Sequence, residues 1–156
     1  MTKREVIRSS SEKETLQLGR ELVGLLKAGD TLLLTGNLGA GKTALVRGMA
    51  EALEVESPVS SPTFTILHVH EPKIEGGCPL YHFDAYRLRD EEDFYSNGFD
   101  EYIGGPGIAV IEWGERVRGA LPADLIEIEV TYGPEQDDRV FSIRFPEGRT
   151  FGRRSS

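Results

Sequence analysis

Gly36-Asn37-Leu38-Gly39-Ala40-Gly41-Lys42-Thr43 fits the pattern G-x-x-x-x-G-K-[ST], and the residues on either side supply the context that pattern needs. Leu32 to Leu34 is an apolar run that reads as a buried strand. From Ala44 to Leu53 the apolar residues Leu45, Val46, Met49, Ala50 and Leu53 recur at helical spacing. Strand, glycine loop and helix therefore occur in the order of a phosphate-binding loop, and the fold predicted from this stretch is α/β.

The residue types have a chemical reason. Glycines let the backbone turn its N–H groups toward an anion, and the first turn of the following helix adds unsatisfied donors and the positive end of its dipole. Asn37, Leu38, Gly39, Ala40, Gly41 and Ala44 are then candidates to line a bound phosphate group with backbone. Lys42 reaches the β- and γ-phosphates as a compact charge, and the Thr43 hydroxyl ligates a Mg²⁺ ion between them.

The rest of the composition narrows the class. A chain of 156 residues buries enough surface to fold as one domain, predicted over 1–146, and the basic end over 147–156 reads as a flexible tail. One cysteine, Cys78, makes no internal bridge, and the absence of an N-terminal apolar segment fits a cytoplasmic protein. No apolar run approaches the roughly 20 residues that span a bilayer. The net charge of -8 argues against a surface that holds nucleic acid by itself, because such a surface needs cations to displace counterions from phosphates. The acidic stretches at 90–93 and 135–138 read as solvated surface.

Along the chain, Val6 and Ile7 suggest a first strand. Ser11-Glu12-Lys13-Glu14 is a capping-box pattern, and Leu16, Gly19, Leu22, Val23 and Leu26 predict one face of the helix that follows. Two β-rich segments, 63–70 and 80–87, predict a hairpin. The segment 90–102 predicts a helix broken at Asn97-Gly98. Ile108 to Ile111 is a continuous apolar run ending at Glu112, the form of a parallel strand buried on both faces. The alternation in 126–130 and 140–145 predicts two closing antiparallel strands. The predicted architecture is a three-layer sandwich of the P-loop NTPase kind, with a mixed, mainly parallel sheet and antiparallel C-terminal strands.

A nucleotide-hydrolysing site of this kind needs an acid near the metal and the attacking water, at the carboxyl end of a strand. Glu112 and Asp84 both meet that condition. Ser61-Pro62-Thr63-Phe64 follows the P-loop helix, where a hydroxyl can sense the γ-phosphate, and it equally fits a turn that starts a strand. His68, His70 and His82 lack a cysteine or acid at ligand spacing and read as ordinary strand residues. Asn97-Gly98-Phe99-Asp100 lacks the lysine that a guanine-specificity motif uses.

Taken together, Gly36 to Thr43, Ser61-Pro62-Thr63-Phe64-Thr65, Tyr81-His82-Phe83-Asp84-Ala85-Tyr86-Arg87-Leu88, Ile111-Glu112-Trp113 and Leu121-Pro122 resemble the TsaE (YjeE) family of bacterial P-loop ATPases, over 11–130. The resemblance implies ATP as substrate, Mg²⁺ as cofactor, and a part in forming threonylcarbamoyladenosine beside the anticodon of transfer RNAs that read codons beginning with A. In that family TsaC makes the threonylcarbamoyl-adenylate, the TsaB–TsaD pair transfers it, and TsaE binds the pair and sustains turnover. Transfer RNA is then reached through partners.

By position, the resemblance makes Lys42 and Thr43 the phosphate and Mg²⁺ contacts and Glu112 the second metal-side acid. Thr63 and Asp84 match positions that sense or place the nucleotide, and Ser11, Trp113 and Arg139 match or adjoin positions near it. Val69-His70 and Ala85 depart from the family's usual residues. Two other readings share the glycine loop. A small metabolite kinase needs an arginine-bearing lid, for which Arg87, Arg89, Arg116 and Arg118 are too scattered. A non-catalytic nucleotide-dependent binding module is the third, and phosphate release with and without the TsaB–TsaD pair separates all three.

Overall fold

The computed structural model describes residues 3–36, 39–56 and 66–146. Asn37, Leu38, the segment containing Thr63 and the basic tail at 147–156 lie outside the described residues. The elements run β1 (Lys3–Ser9), α1 (Glu12–Val23), β2 (Thr31–Thr35), α2 (Gly39–Leu53), β3 (Leu67–His70), β4 (Leu80–Asp84), α3 (Glu91–Ser96), β5 (Ile108–Glu112), β6 (Ile126–Tyr132) and β7 (Arg139–Phe145). Short 3-10 turns cover Ala85–Arg87, Phe99–Tyr102 and Gly114–Ala120.

The strands form one sheet in the order β1-β7-β6-β2-β5-β4-β3. Its three central pairings, β6–β2, β2–β5 and β5–β4, are parallel; the outer pairings, β1–β7, β7–β6 and β4–β3, are antiparallel. This is the mixed sheet with closing antiparallel strands that the sequence predicts. The hydrophobic patterns follow from the position of each strand. β2 and β5 sit in the middle and are covered on both faces, so Leu32, Leu33 and Leu34 and all of Ile108–Glu112 are buried. β6 is covered on one face, and its residues alternate, with Ile126, Ile128 and Val130 inside.

Two cores result. Leu32 and Leu34 face α1 and α2 with Leu18, Leu22, Leu45, Met49, Val110 and Ile128. Leu33 points the other way, into a cluster with Phe83, Phe94, Ile111, Val117 and Leu121 beneath α3 and the 3-10 turns. No helix among the described residues is long and apolar enough to cross a membrane.

Several local expectations are adjusted. The buried face of α1 is Thr15, Leu18, Gly19 and Leu22, rotated from the predicted one, because α1 crosses α2 at glycines. A Cβ on Gly19 would stand 2.2 Å from the Leu45 carbonyl oxygen, and one on Gly48 would stand 2.1 Å from that of Leu16. Ser11 caps α1 by accepting from the Glu14 N–H at 3.1 Å, but Glu14 reaches back one residue further than a capping box requires, to the Ser10 N–H at 2.8 Å. α2 begins at Gly39, earlier than its apolar periodicity shows, since the sequence Gly39-Ala40-Gly41-Lys42 carries no apolar stripe. β4 stops at Asp84, short of the predicted Arg87, because the Asp84 carboxylate accepts from the Tyr86 N–H at 3.1 Å and starts a 3-10 turn. The break in 90–102 falls where expected, with Gly98 at φ +75° between α3 and Phe99–Tyr102.

Candidate phosphate-binding site

Gly36 ends β2 at φ +104°, a left-handed conformation that glycine adopts without strain. It also passes so near β6 that a Cβ would lie 2.2 Å from the Val130 carbonyl oxygen. The chain leaves the sheet at this point, and the first turn of α2 carries Gly41 and Lys42.

Lys42 is 1% exposed, an unusual place for an ammonium group. Its Nζ lies over the Trp113 ring, 4.2 Å from the centroid, a cation–π arrangement. Loss of water holds its pKa below the usual lysine value, opposed by the negative charges of Glu112, Glu115 and Asp84. Those acids come from the ends of adjacent strands and the turn beyond them. The parallel register sets Asp84 of β4 opposite Glu112 of β5, and Glu112 opposite Leu34 of β2.

Each strand-end acid is held by a different group. The Asp84 carboxylate is turned toward its own backbone at Tyr86. Glu112, 5% exposed, has its Oε2 2.6 Å from Nε2 of the fully buried His82. By sequence His82 is an ordinary strand residue, because its partner lies 30 residues away in the chain. A histidine two residues before a strand-end acid is a signal only once the neighbouring strand is known.

Trp113 follows Glu112 with φ +59°, and a bulky residue held there costs about 1–3 kcal/mol. The turn lets Gly114 lie flat, where a Cβ would stand 2.6 Å from Leu33 Cδ1. The same turn brings the indole over Lys42 and edge-on to Tyr86, with ring centroids 5.5 Å apart.

Beside the first turns of α1 and α2 lies a cleft of about 400 Å³ lined by Ser11, Glu12, Thr15, Gly41, Thr43, Ala44, Arg47, Asp137 and Arg139. It gathers Ser11, Gly41, Thr43, Ala44 and Arg139, candidates from separate stretches of the sequence. Lys42, Glu112, Asp84 and Trp113 are not among its lining residues; they form the group described above around the Lys42 ammonium. Arg139 is steadied by the carbonyls of Gln136 and Asp138, both at 2.9 Å, and by the Tyr132 ring at 5.2 Å. Arg47, Glu12 and Asp137 enter the cleft without a sequence forecast, although Arg47 stands one helical turn after Thr43. Arg47 is paired to Glu12 at 2.9 Å.

Comparison with known proteins gives one answer. The family model described as "Threonylcarbamoyl adenosine biosynthesis protein TsaE" matches residues 9–141. The chain is 42% identical over 122 residues to the tRNA threonylcarbamoyladenosine biosynthesis protein TsaE of Treponema pallidum, covering 78% of this chain and 87% of that protein. It is 43% identical over 121 residues to the protein of the same name from Streptomyces coelicolor, covering 73% and 76%. The crystal structure of Bacillus subtilis YdiB superimposes with a TM-score of 0.74 at 31% identity, covering 94% of this chain and 88% of that one. With a glycine loop, a buried lysine and strand-end acids set out in this order, the chain belongs to the TsaE family of tRNA threonylcarbamoyladenosine biosynthesis proteins.

Proposed function

We propose that this chain is a Mg²⁺-dependent ATPase, one domain over 1–146, that acts in the cytoplasm with the TsaB–TsaD pair to sustain formation of threonylcarbamoyladenosine on tRNA. The observation that carries the reading is the buried Lys42, set among the acids Glu112, Asp84 and Glu115 at the end of the glycine loop. A cation kept dry against this cost is suited to a polyanionic ligand. The acidic balance of the chain supports the reading that tRNA is contacted by the partners.

The residues fit magnesium bound with phosphates. Among the described residues no three His, Cys, Asp or Glu side chains form a metal-binding group. Mg²⁺ commonly takes one or two carboxylates and relies on phosphate oxygens and water for the rest. Thr43 and Glu112 are the residues that would hold it, and the ion when bound offsets charge on the β- and γ-phosphates. Lys42 binds the same phosphates from the protein side, while Ser11, Ala44 and Arg139 line the space for the remainder of the nucleotide. Asp84, and Thr63 in sequence, are assigned to placing the attacking water and sensing the γ-phosphate. In the reaction a water oxygen bonds to the γ-phosphorus as the bond to the ADP oxygen breaks, and the water's proton is lost to a nearby acid or to solvent.

Phosphate release measured with and without the TsaB–TsaD pair tests this reading. Slow hydrolysis alone and severalfold faster hydrolysis with the pair is expected. ATP binding without hydrolysis in either case would overturn it in favour of a binding module, and transfer of the phosphate to a small acceptor would identify a kinase.

Trp113 supplies an independent readout, being the only tryptophan and standing over Lys42. When phosphates draw Lys42 away from the indole, the intrinsic fluorescence should change, and the change should be lost in Lys42→Ala. A flat titration with ATP and Mg²⁺, under conditions where calorimetry shows binding, would place the nucleotide away from this strand end.

A further inference from the structure

We propose that His82 is a positioning residue for ATP hydrolysis: its Nε2–H holds Oε2 of Glu112, so that one orientation of this carboxylate is fixed before nucleotide arrives. The inference rests on the ATPase reading above and adds to it a residue that touches neither phosphate nor metal.

Four observations carry it. His82 is fully buried, Glu112 nearly so, and their side chains meet at 2.6 Å, a short hydrogen-bond contact. The bond selects a tautomer. Nε2 must carry the proton to donate to a carboxylate, which in a neutral ring leaves Nδ1 as an acceptor, and Nδ1 is buried with no hydrogen-bond partner among the described residues. An unmet acceptor in the core is a poor way to build stability, since an apolar ring of the same size would pack there without one. The arrangement is therefore explained better by what Nε2 does for Glu112 than by folding. Finally, no other hydrogen bond is made to the Glu112 side chain among the described residues, so His82 alone restrains its rotation by that means.

The frame around the pair is rigid. His82 and Glu112 lie on neighbouring parallel strands, β4 and β5, two positions apart in register, and both strands are buried along this stretch. Asp84, on the same face of β4, is turned instead to the Tyr86 N–H. The two strand-end acids thus have separate anchors, and loss of one anchor leaves the other in place. Partners of this kind, which orient a metal-side carboxylate without touching the ion, typically change metal affinity or activity by about 10- to 100-fold when removed.

The experiment compares His82→Gln and His82→Phe with the intact protein in the presence of TsaB–TsaD. Glutamine places an amide donor near the position of Nε2; phenylalanine keeps the ring volume and has no donor. His82→Phe should lower kcat about 10- to 100-fold with a smaller change in ATP affinity, and His82→Gln should recover most of it. In a Glu112→Gln background His82→Phe should cost little more, because both changes act on one group. Equal losses in the two backgrounds, or losses that track a fall in melting temperature and are not recovered by glutamine, would overturn the proposal in favour of a packing role.

A second measurement needs no turnover. Nitrogen-15 NMR of the histidines in the nucleotide-free full chain should show His82 protonated at Nε2 and not at Nδ1, with shifts that move in Glu112→Gln. The opposite tautomer, or shifts unchanged by Glu112→Gln, would overturn the pairing whether or not the variants fold. Absence of ATP hydrolysis by the intact protein with its partners would instead strike at the ATPase reading, which the NMR result does not test.

Discussion

Lys42→Met is expected to abolish most ATP turnover while leaving the nucleotide-free protein at least as stable as the original. Methionine keeps the apolar stem of the lysine and removes its charge. Losing a buried contact to phosphate should cost about 2–5 kcal/mol of transition-state stabilisation, which is roughly 30- to 5,000-fold in rate. The stability forecast follows from the direction of the lysine's pKa. Burial holds it below the ordinary value in spite of Glu112, Glu115 and Asp84. Between that lowered value and the ordinary one the unfolded chain binds more protons than the folded chain, so stability due to this group rises with pH across that window. Below the window the charged amine weighs against folding in full. Lys42→Met should therefore melt at or above the original at neutral pH, and the difference should shrink as the pH is raised toward the ordinary lysine range. Scanning calorimetry over pH with a parallel phosphate-release assay checks both parts. Normal turnover in the variant would remove Lys42 from the site, and a large fall in melting temperature would make it a structural ion-pair partner.

Glu112→Gln is expected to separate binding from hydrolysis. The amide keeps the shape of the side chain and an oxygen to accept from His82, but it loses the charge that faces Lys42 and cannot take a proton. ATP affinity should stay within several-fold of the original, while hydrolysis with partners should fall by about 10²–10⁴. Asp84→Asn is the matched control, since Asp84 occupies the adjacent strand end in register with Glu112. Single-turnover kinetics with binding measured by calorimetry distinguishes the two. If Asp84→Asn abolishes hydrolysis and Glu112→Gln leaves it intact, the roles of the two acids are exchanged.

Much of the architecture could be read from short stretches of chain. The run Thr31–Thr35, the glycines from Gly36 and the helical spacing after Ala44 specify a strand, a turn and a helix through contacts a few residues apart. Ile108–Glu112 declares a doubly covered strand by being apolar throughout, and 126–130 declares a half-covered one by alternating. Where the local pattern was silent or misleading, a distant group was responsible. The face of α1 is turned by Gly48, far along the chain, and the start of α2 carries no apolar stripe to mark it. Thr63, Asn37 and Leu38 lie outside the described residues, so their assignments rest on sequence alone.

The same division applies to the site. The glycine loop, its lysine and hydroxyl, and acids at two strand ends are legible in the chain, because each is written in adjacent residues whose backbone and side-chain chemistry act together. Which groups meet is set by packing between distant segments: the cleft joining Ser11, Thr43 and Arg139, the indole over Lys42, and the bond from His82 to Glu112. Those meetings depend on the order of strands in the sheet. Parallel neighbours such as β4 and β5 are joined through long connections, so no spacing along the chain shows that their ends will stand side by side.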